Sequence, residues 1–169
     1  MITLRSKREI ELLREAGKIV AETHAVLREA VKPGVSTWEL DQLAYQTIIK
    51  HRAIPSFLNY NGFPGSICAS KNEIIVHGIP SKKDILEEGD IINVDFTTIL
   101  DGYYADASRM FIIGKTTPEK EQLVRVAKEC LEIGAEAAKP YCFVGDIGYA
   151  IEQHANKYNY GVVRDLCGH

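Results

Sequence analysis

Two aspartates near the middle of the chain, Asp95 and Asp106, have the residue type and the spacing of ligands for divalent metal ions. A tight-turn signal, Asp101-Gly102, lies between them and predicts a β-hairpin in which Thr97 pairs with Asp106. In that register the two carboxylates share one face as diagonal neighbours, with Cα atoms roughly 7–8 Å apart. Both carboxylates can therefore reach one small cluster of cations.

The predicted hairpin, from Ile91 to Ile113, has one polar face and one mostly apolar face. Beside the aspartates, the polar face carries Asn93, Thr97 and Ser108. On this pattern alone, a half-solvated antiparallel sheet explains the hairpin somewhat better than a metal site does. The rest of the sequence has to decide between them. The opposite face carries Ile92, Val94, Phe96, Ala105, Ala107 and Phe111, with Arg109 as the exception.

Helices with strong N-terminal signals precede the hairpin. Each of the first two begins with a capping box, in which a serine is followed three residues later by a glutamate. The first helix should run toward Pro33, and the second should end near His51. The two boxes are formed by Ser6 with Glu9 and by Ser36 with Glu39.

Shorter strands and two later helices complete the predicted elements. Strands are expected around Ser66 to Ala69 and around Ile74 to His77, ahead of the hairpin. A third helix should open at Thr116 or Thr117 and continue through Ala135. A fourth should cover Ile147 to Tyr158, and its start is left open because Phe143 offers no capping side chain.

An internal echo suggests a duplicated architecture. The segment from Glu29 to Pro33 returns, nearly unchanged, from Glu136 to Pro140, each time between a long helix and a shorter one. We expect repeat halves of roughly 1–114 and 115–169, the second of them incomplete. A chance match of five residues is the alternative.

Composition limits the classes of partner. The chain has 169 residues and a formal net charge of -3, and its basic residues are scattered among acidic ones. We therefore expect neither a nucleic-acid nor a membrane partner. A cytoplasmic protein is expected, because the sequence has neither a signal-like apolar start nor an apolar run of membrane-spanning length. The cysteines are too widely spaced for a zinc ribbon or a redox pair, which favours reduced thiols. They are Cys68, Cys130, Cys142 and Cys167.

Four phrases, in order and with matching spacing, resemble type I methionine aminopeptidases. They are Asn72 to Pro80 around His-Gly-Ile-Pro, Gly89 to Asp95, Asp101 to Asp106, and Cys167-Gly168-His169. The resemblance covers essentially the whole chain. It implies an α/β (α+β) fold of the pita-bread class with two pseudo-symmetric halves. It also implies a single catalytic domain over 1–169 whose C-terminal portion is missing.

The resemblance assigns a metal site with two divalent ions, which would be Mn, Fe, Co or Zn. Asp95 would chelate one ion, Asp106 would bridge both, and His169 would ligate the other. Two glutamates and a further substrate-contacting histidine complete the site in the family. These residues follow the equivalent of His169, so this chain supplies only part of the set.

The resemblance also assigns substrate contacts. His77 matches a catalytic histidine beside the scissile amide, while Tyr60, Phe63 and Cys68 fall where the family lines its methionine pocket. Tyrosine is more usual at the position of Phe63. Each residue has an ordinary structural explanation: a strand-end histidine, aromatic side chains of a packed loop, and a small buried thiol.

Methionine removal from nascent chains is the activity that the resemblance implies. The substrates would be N-termini beginning with Met, near the ribosome, and the complete protein would be a cytoplasmic monomer; this chain alone would be inactive. Two alternatives stay open. One is a non-catalytic pita-bread module that binds peptides or proteins, and the other is an Xaa-Pro peptidase, since that group has aspartate pairs at similar spacing.

Overall fold

A computed structural model describes residues 4–167 of the chain. The chain forms two compact units, Met1–Thr116 and Thr117–His169. Within the described residues, no helix has both the length and the apolar character needed to span a membrane.

Both predicted capping boxes are present in the first unit. Helix α1 (Lys7–Ala30) starts where the Ser6 hydroxyl accepts the Glu9 N–H at 3.3 Å, and the Glu9 carboxylate accepts the Ser6 N–H at 2.7 Å. Helix α2 (Thr37–Lys50) repeats the exchange between Ser36 and Glu39. These bonds satisfy amide groups that the first turn of a helix leaves unpaired. The two predicted helix starts are confirmed.

Four antiparallel strands form one sheet around a central strand. They are β1 (Ile54–Pro55), β2 (Cys68–Lys71), β3 (Ile91–Leu100) and β4 (Tyr103–Ile112). Strand β4 pairs with the whole length of β3 along one edge. Strands β2 and β1 pair with successive parts of the other edge of β3. Strand β3 is therefore the element on which the position of every other strand depends.

The hairpin of β3 and β4 has the predicted turn and register. Leu100 pairs with Tyr103 across the two-residue turn, and Thr97 pairs with Asp106. Asp101 and Gly102 both have positive φ, 50° and 82°, as this type of tight turn requires. The turn residues thus fix which side chains share a face.

The apolar face of the hairpin packs into the core of the first unit. Ile92, Val94 and Phe96 are completely buried, in a cluster that includes residues from α1 and α2. His24 of α1 lies against Phe96, with ring centroids 4.6 Å apart, and its Nε2 lies 3.1 Å from the Ala107 carbonyl. Burial lowers the pKa of His24. The neutral ring is thus a structural part of this core.

One strand prediction is wrong and another is displaced. The segment from Ile74 to His77 is an irregular loop in which Ile75 is 69% exposed. An apolar run forms a strand only where a neighbouring strand can pair with it. Here positive φ values at Asn72 and His77, on either side of the run, bend the backbone away from an extended path. The strand expected at Ser66 to Ala69 starts two residues later, as β2.

The second unit is a pair of helices. Helix α3 (Pro118–Ala137) begins at the predicted Thr117 cap. Helix α4 (Val144–Lys157) begins three residues earlier than predicted, and the Asp146 carboxylate in its first turn accepts the Phe143 N–H at 2.8 Å. His154 of α4 contacts Glu129 of α3 at 2.7 Å. The duplication inferred from the echo stays a prediction.

Candidate functional site

The two aspartates lie on the same face of the β3–β4 hairpin, as their pairing partners show. Asp95 pairs with Ser108 and Asp106 pairs with Thr97, so the aspartates are diagonal neighbours across the ladder. Asp95 is half-buried and Asp106 is exposed. The structure therefore brings together the two carboxylates that the sequence selected.

Hydrogen bonds from the same face hold its polar side chains in place. The Thr97 hydroxyl donates to an Asp106 carboxylate oxygen. Further along the same face, the side-chain amide nitrogen of Asn93 lies 2.7 Å from the Ser108 hydroxyl. The Thr97 contact fixes the direction in which the Asp106 carboxylate points.

The donor set fits hard divalent cations, but the described part of the site is incomplete. Two carboxylates held on one face repel each other unless a cation lies between them. Carboxylate oxygens are good ligands for divalent metals. Within residues 4–167, no group of three or more His, Cys, Asp or Glu side chains is placed to hold an ion. The third predicted ligand, His169, lies outside the described residues.

All four predicted substrate residues line one cavity of about 500 Å³. Tyr60 and Phe63 belong to one loop, Cys68 to β2 and His77 to a second loop, yet all four line this single space. Its volume is in the range of small-ligand pockets. Sequence reasoning had not selected the other lining residues, which are Phe57, Asn61, Gly62, Pro64 and Ile79.

Two of these additional residues, Phe57 and Ile79, have features in the sequence that could have pointed to the cavity. Phe57 precedes Phe63 by six residues, and the two rings meet edge to face with centroids 6.4 Å apart. Aromatic pairs at this distance help to hold such a loop in one conformation. Ile79 belongs to the His-Gly-Ile-Pro phrase itself and is 59% exposed. The sequence alone does not show that Ile79 is exposed, because this depends on the irregular conformation of the loop.

Cys68 connects the cavity with the carboxylates. It is buried, lines the cavity, and is the direct cross-strand partner of Asp95. Burial, with further contributions from the charges of Asp95 and Asp106, raises the pKa of the Cys68 thiol to about 12. The thiol is therefore neutral at physiological pH and forms an uncharged part of the cavity wall beside two anionic groups.

Thr97→Val should weaken divalent-metal binding by about 10–100-fold, because the Asp106 carboxylate loses the hydroxyl that orients it. Isothermal titration with Mn²⁺ measures the effect. Thr98→Val is the matched control, since Thr98 is the next residue along β3, faces the core and donates to the Ala16 carbonyl at 3.4 Å. An equal loss of affinity in both variants would contradict the role of Thr97.

Comparisons with known proteins place this geometry in a family. The sequence profile of metallopeptidase family M24 matches residues 11–169. Methionine aminopeptidase A of Synechocystis sp. is 51% identical over 99% of this chain and 66% of its own length. The crystal structure of methionine aminopeptidase from Rickettsia prowazekii matches with a TM-score of 0.94 and 44% identity, over 98% of this chain and 66% of that chain.

A more distant likeness concerns the fold alone. Prolidase from Pyrococcus furiosus matches with a TM-score of 0.79 and 20% identity, over 94% of this chain and 45% of that chain. The α+β fold of the pita-bread class, expected from the sequence, is confirmed by the structural matches. The chain spans about two thirds of the length of the curated relatives it matches.

Proposed function

The chain belongs to metallopeptidase family M24, and from that premise we propose that it acts in hydrolysing the peptide bond after an N-terminal methionine. In this proposal Asp95 and Asp106 hold two divalent ions together with His169. The identity of the ions is Mn, Fe, Co or Zn, as oxygen ligands with one imidazole allow.

The pairing of Cys68 with Asp95 is the observation that carries the proposal. It places a wall of the cavity directly across the ladder from one of the two carboxylates. A side chain bound in the cavity would thus leave its adjoining peptide bond beside the carboxylates. An exopeptidase that recognises one terminal side chain needs this adjacency of a pocket and a reactive centre.

The cavity lining suits an unbranched thioether side chain. Phe57, Phe63 and Ile79 supply apolar surface, and the protonated Cys68 thiol adds a soft, uncharged contact. Thioethers pack favourably against aromatic rings. We assign Tyr60 to the rim, because 68% of its surface is exposed.

His77 is assigned to the scissile amide. Its side chain is exposed at the cavity wall, where it can donate or accept a hydrogen bond. Bound divalent ions would supply Lewis acidity, which acidifies a water molecule and polarises the carbonyl that it attacks. The chain's own residues then hold the ions, receive the methionine side chain and orient the amide.

Hydrolysis of short peptides tests the proposal. The product of the whole reading frame, supplied with Mn²⁺ or Co²⁺, should release methionine from Met-Ala-Ser and leave Ala-Pro peptides intact. Cleavage of Ala-Pro peptides alone would overturn the substrate assignment in favour of an Xaa-Pro peptidase. Binding of Met-Ala-Ser without hydrolysis under every metal would favour the non-catalytic module.

Location and partners follow from the proposed substrate. Initiator methionine is carried by chains that are still being made or have just been completed, so we place the activity in the cytoplasm, near the ribosome. We further propose that the complete protein acts as a monomer, because one copy of the chain supplies the cavity and both carboxylates.

A further inference from the structure

We propose that Ser70 is a positioning residue that holds His77 at the cavity wall through the backbone of Gly78. Ser70 lies on β2 and is 96% buried, with a relative exposure of 4%. Its hydroxyl accepts the Gly78 N–H at 3.1 Å. The inference rests on the proposed function, since it concerns the residue assigned to the scissile amide.

Two hydrogen bonds attach Gly78 to β2. Besides the bond to Ser70, the Ala69 N–H donates to the Gly78 carbonyl at 2.8 Å. The backbone of His77 acts on the neighbouring Cys68 thiol, whose pKa it lowers against the larger effect of burial. Strand β2 pairs with β3 along one edge, so this segment lies along the edge that β3 leaves open. The loop is thus attached to β2 at Gly78, the residue next to His77.

The face on which Ser70 lies explains the direction of the attachment. Ser70 pairs with Asn93 and Cys68 pairs with Asp95, so both β2 side chains share the face that carries the carboxylates. Ala69, between them, faces the core. A bond to Ser70 therefore draws the loop to the carboxylate side of the sheet.

Gly78 is required because its backbone lies against β2. A Cβ atom at this position would lie 2.1 Å from the Ala69 carbonyl oxygen and 2.9 Å from the Ser70 Cα. Both atoms belong to the backbone of a paired strand, so neither can move away cheaply. No larger residue can make the same close approach.

His77 itself has a backbone conformation that needs external support. Its φ is 57°, in the left-handed region that residues other than glycine seldom occupy. Such a conformation persists only where surrounding contacts determine it. The hydrogen bonds of the adjoining Gly78 to Ala69 and Ser70 supply those contacts, so loss of the Ser70 hydroxyl should let the imidazole move.

Kinetics of variants in the product of the whole reading frame test the role of Ser70. Ser70→Ala should lower kcat for Met-Ala-Ser about tenfold while KM and metal content change little, because the pocket and ligands remain. Gly78→Ala should lower kcat more, by about a hundredfold. Gly17→Ala is its control, since no atom lies within 4 Å of a Cβ built there.

A double-mutant cycle separates positioning from general stability. In a His77→Ala background, Ser70→Ala should have almost no further effect on kcat, since there is no imidazole left to position. An equal tenfold loss in both backgrounds would overturn the proposal. So would wild-type kcat in the Ser70→Ala protein.

A structural readout remains decisive if the proposed activity is absent. The Cα chemical shift of His77 reports its backbone conformation by NMR in the wild type and in Ser70→Ala. We expect a left-handed shift in the wild type that moves toward the random-coil value in the variant. An unchanged shift would refute the attachment, whereas failure of the wild type to release methionine would refute only the proposed function.

Discussion

Replacing Asp106 by asparagine should abolish metal binding and turnover together in the product of the whole reading frame. Asp106 is assigned as the ligand shared by both ions, and asparagine removes the negative charge that holds them. Loss of Lewis-acid stabilisation of several kcal/mol corresponds to a decrease in kcat/KM of about a thousandfold or more. Metal content by mass spectrometry and methionine release from Met-Ala-Ser measure the two effects.

Asp101→Asn is the matched control for this prediction. Asp101 lies in the same hairpin, but in its exposed turn, where φ is 50° and asparagine is well tolerated. The control should keep both ions and nearly full activity. Normal metal content and activity in Asp106→Asn would refute the bridging role.

His77→Ala should lower turnover far more than it lowers metal content. Because His77 is assigned to the amide rather than to the ions, its loss removes an interaction with the reacting group, at a cost of about a hundredfold in kcat. Steady-state kinetics on Met-Ala-Ser, with metal analysis of the same samples, measures the separation.

His51→Ala serves as the histidine control. His51 is the C-cap residue of α2, and its Nε2 lies 3.0 Å from a Glu22 carboxylate oxygen of α1. It does not line the cavity that holds His77. It should leave kcat nearly unchanged. If His77→Ala instead lost its metal and kept its turnover per bound ion, His77 would have to be reassigned to the metal site.

The hairpin and the first helices could be predicted because their signals are local. The Asp101-Gly102 turn sets the register of β3 and β4, and register alone determines that Asp95 and Asp106 share a face. Capping boxes likewise involve residues only three positions apart, so Ser6 and Ser36 were sufficient to locate two helix starts.

The loop that carries His77 could not be predicted, because its conformation depends on contacts with another element. An apolar run from Ile74 to Val76 has the composition of a strand, yet the edge of β2 is covered by Gly78 instead. The close approach of Gly78 to Ala69 joins positions nine residues apart and leaves no local signal. Only the folded sheet shows why glycine stands there.

The cavity was predictable in part. Family resemblance selected Tyr60, Phe63, Cys68 and His77, and the structure places all four around one space. Strand β1 has only two residues and no sequence pattern, so its pairing with β3, which anchors the start of the cavity loop that follows it, could not be predicted. The roles of the four residues stay predictions until the variants are measured.

The most direct test of the account is to locate manganese in crystals of the product of the whole reading frame by anomalous scattering. We predict two peaks about 3.5–4 Å apart, with Asp95 contacting one ion and Asp106 contacting both. Manganese bound elsewhere, with no peak within reach of both carboxylates, would contradict the claim that this hairpin is a metal centre.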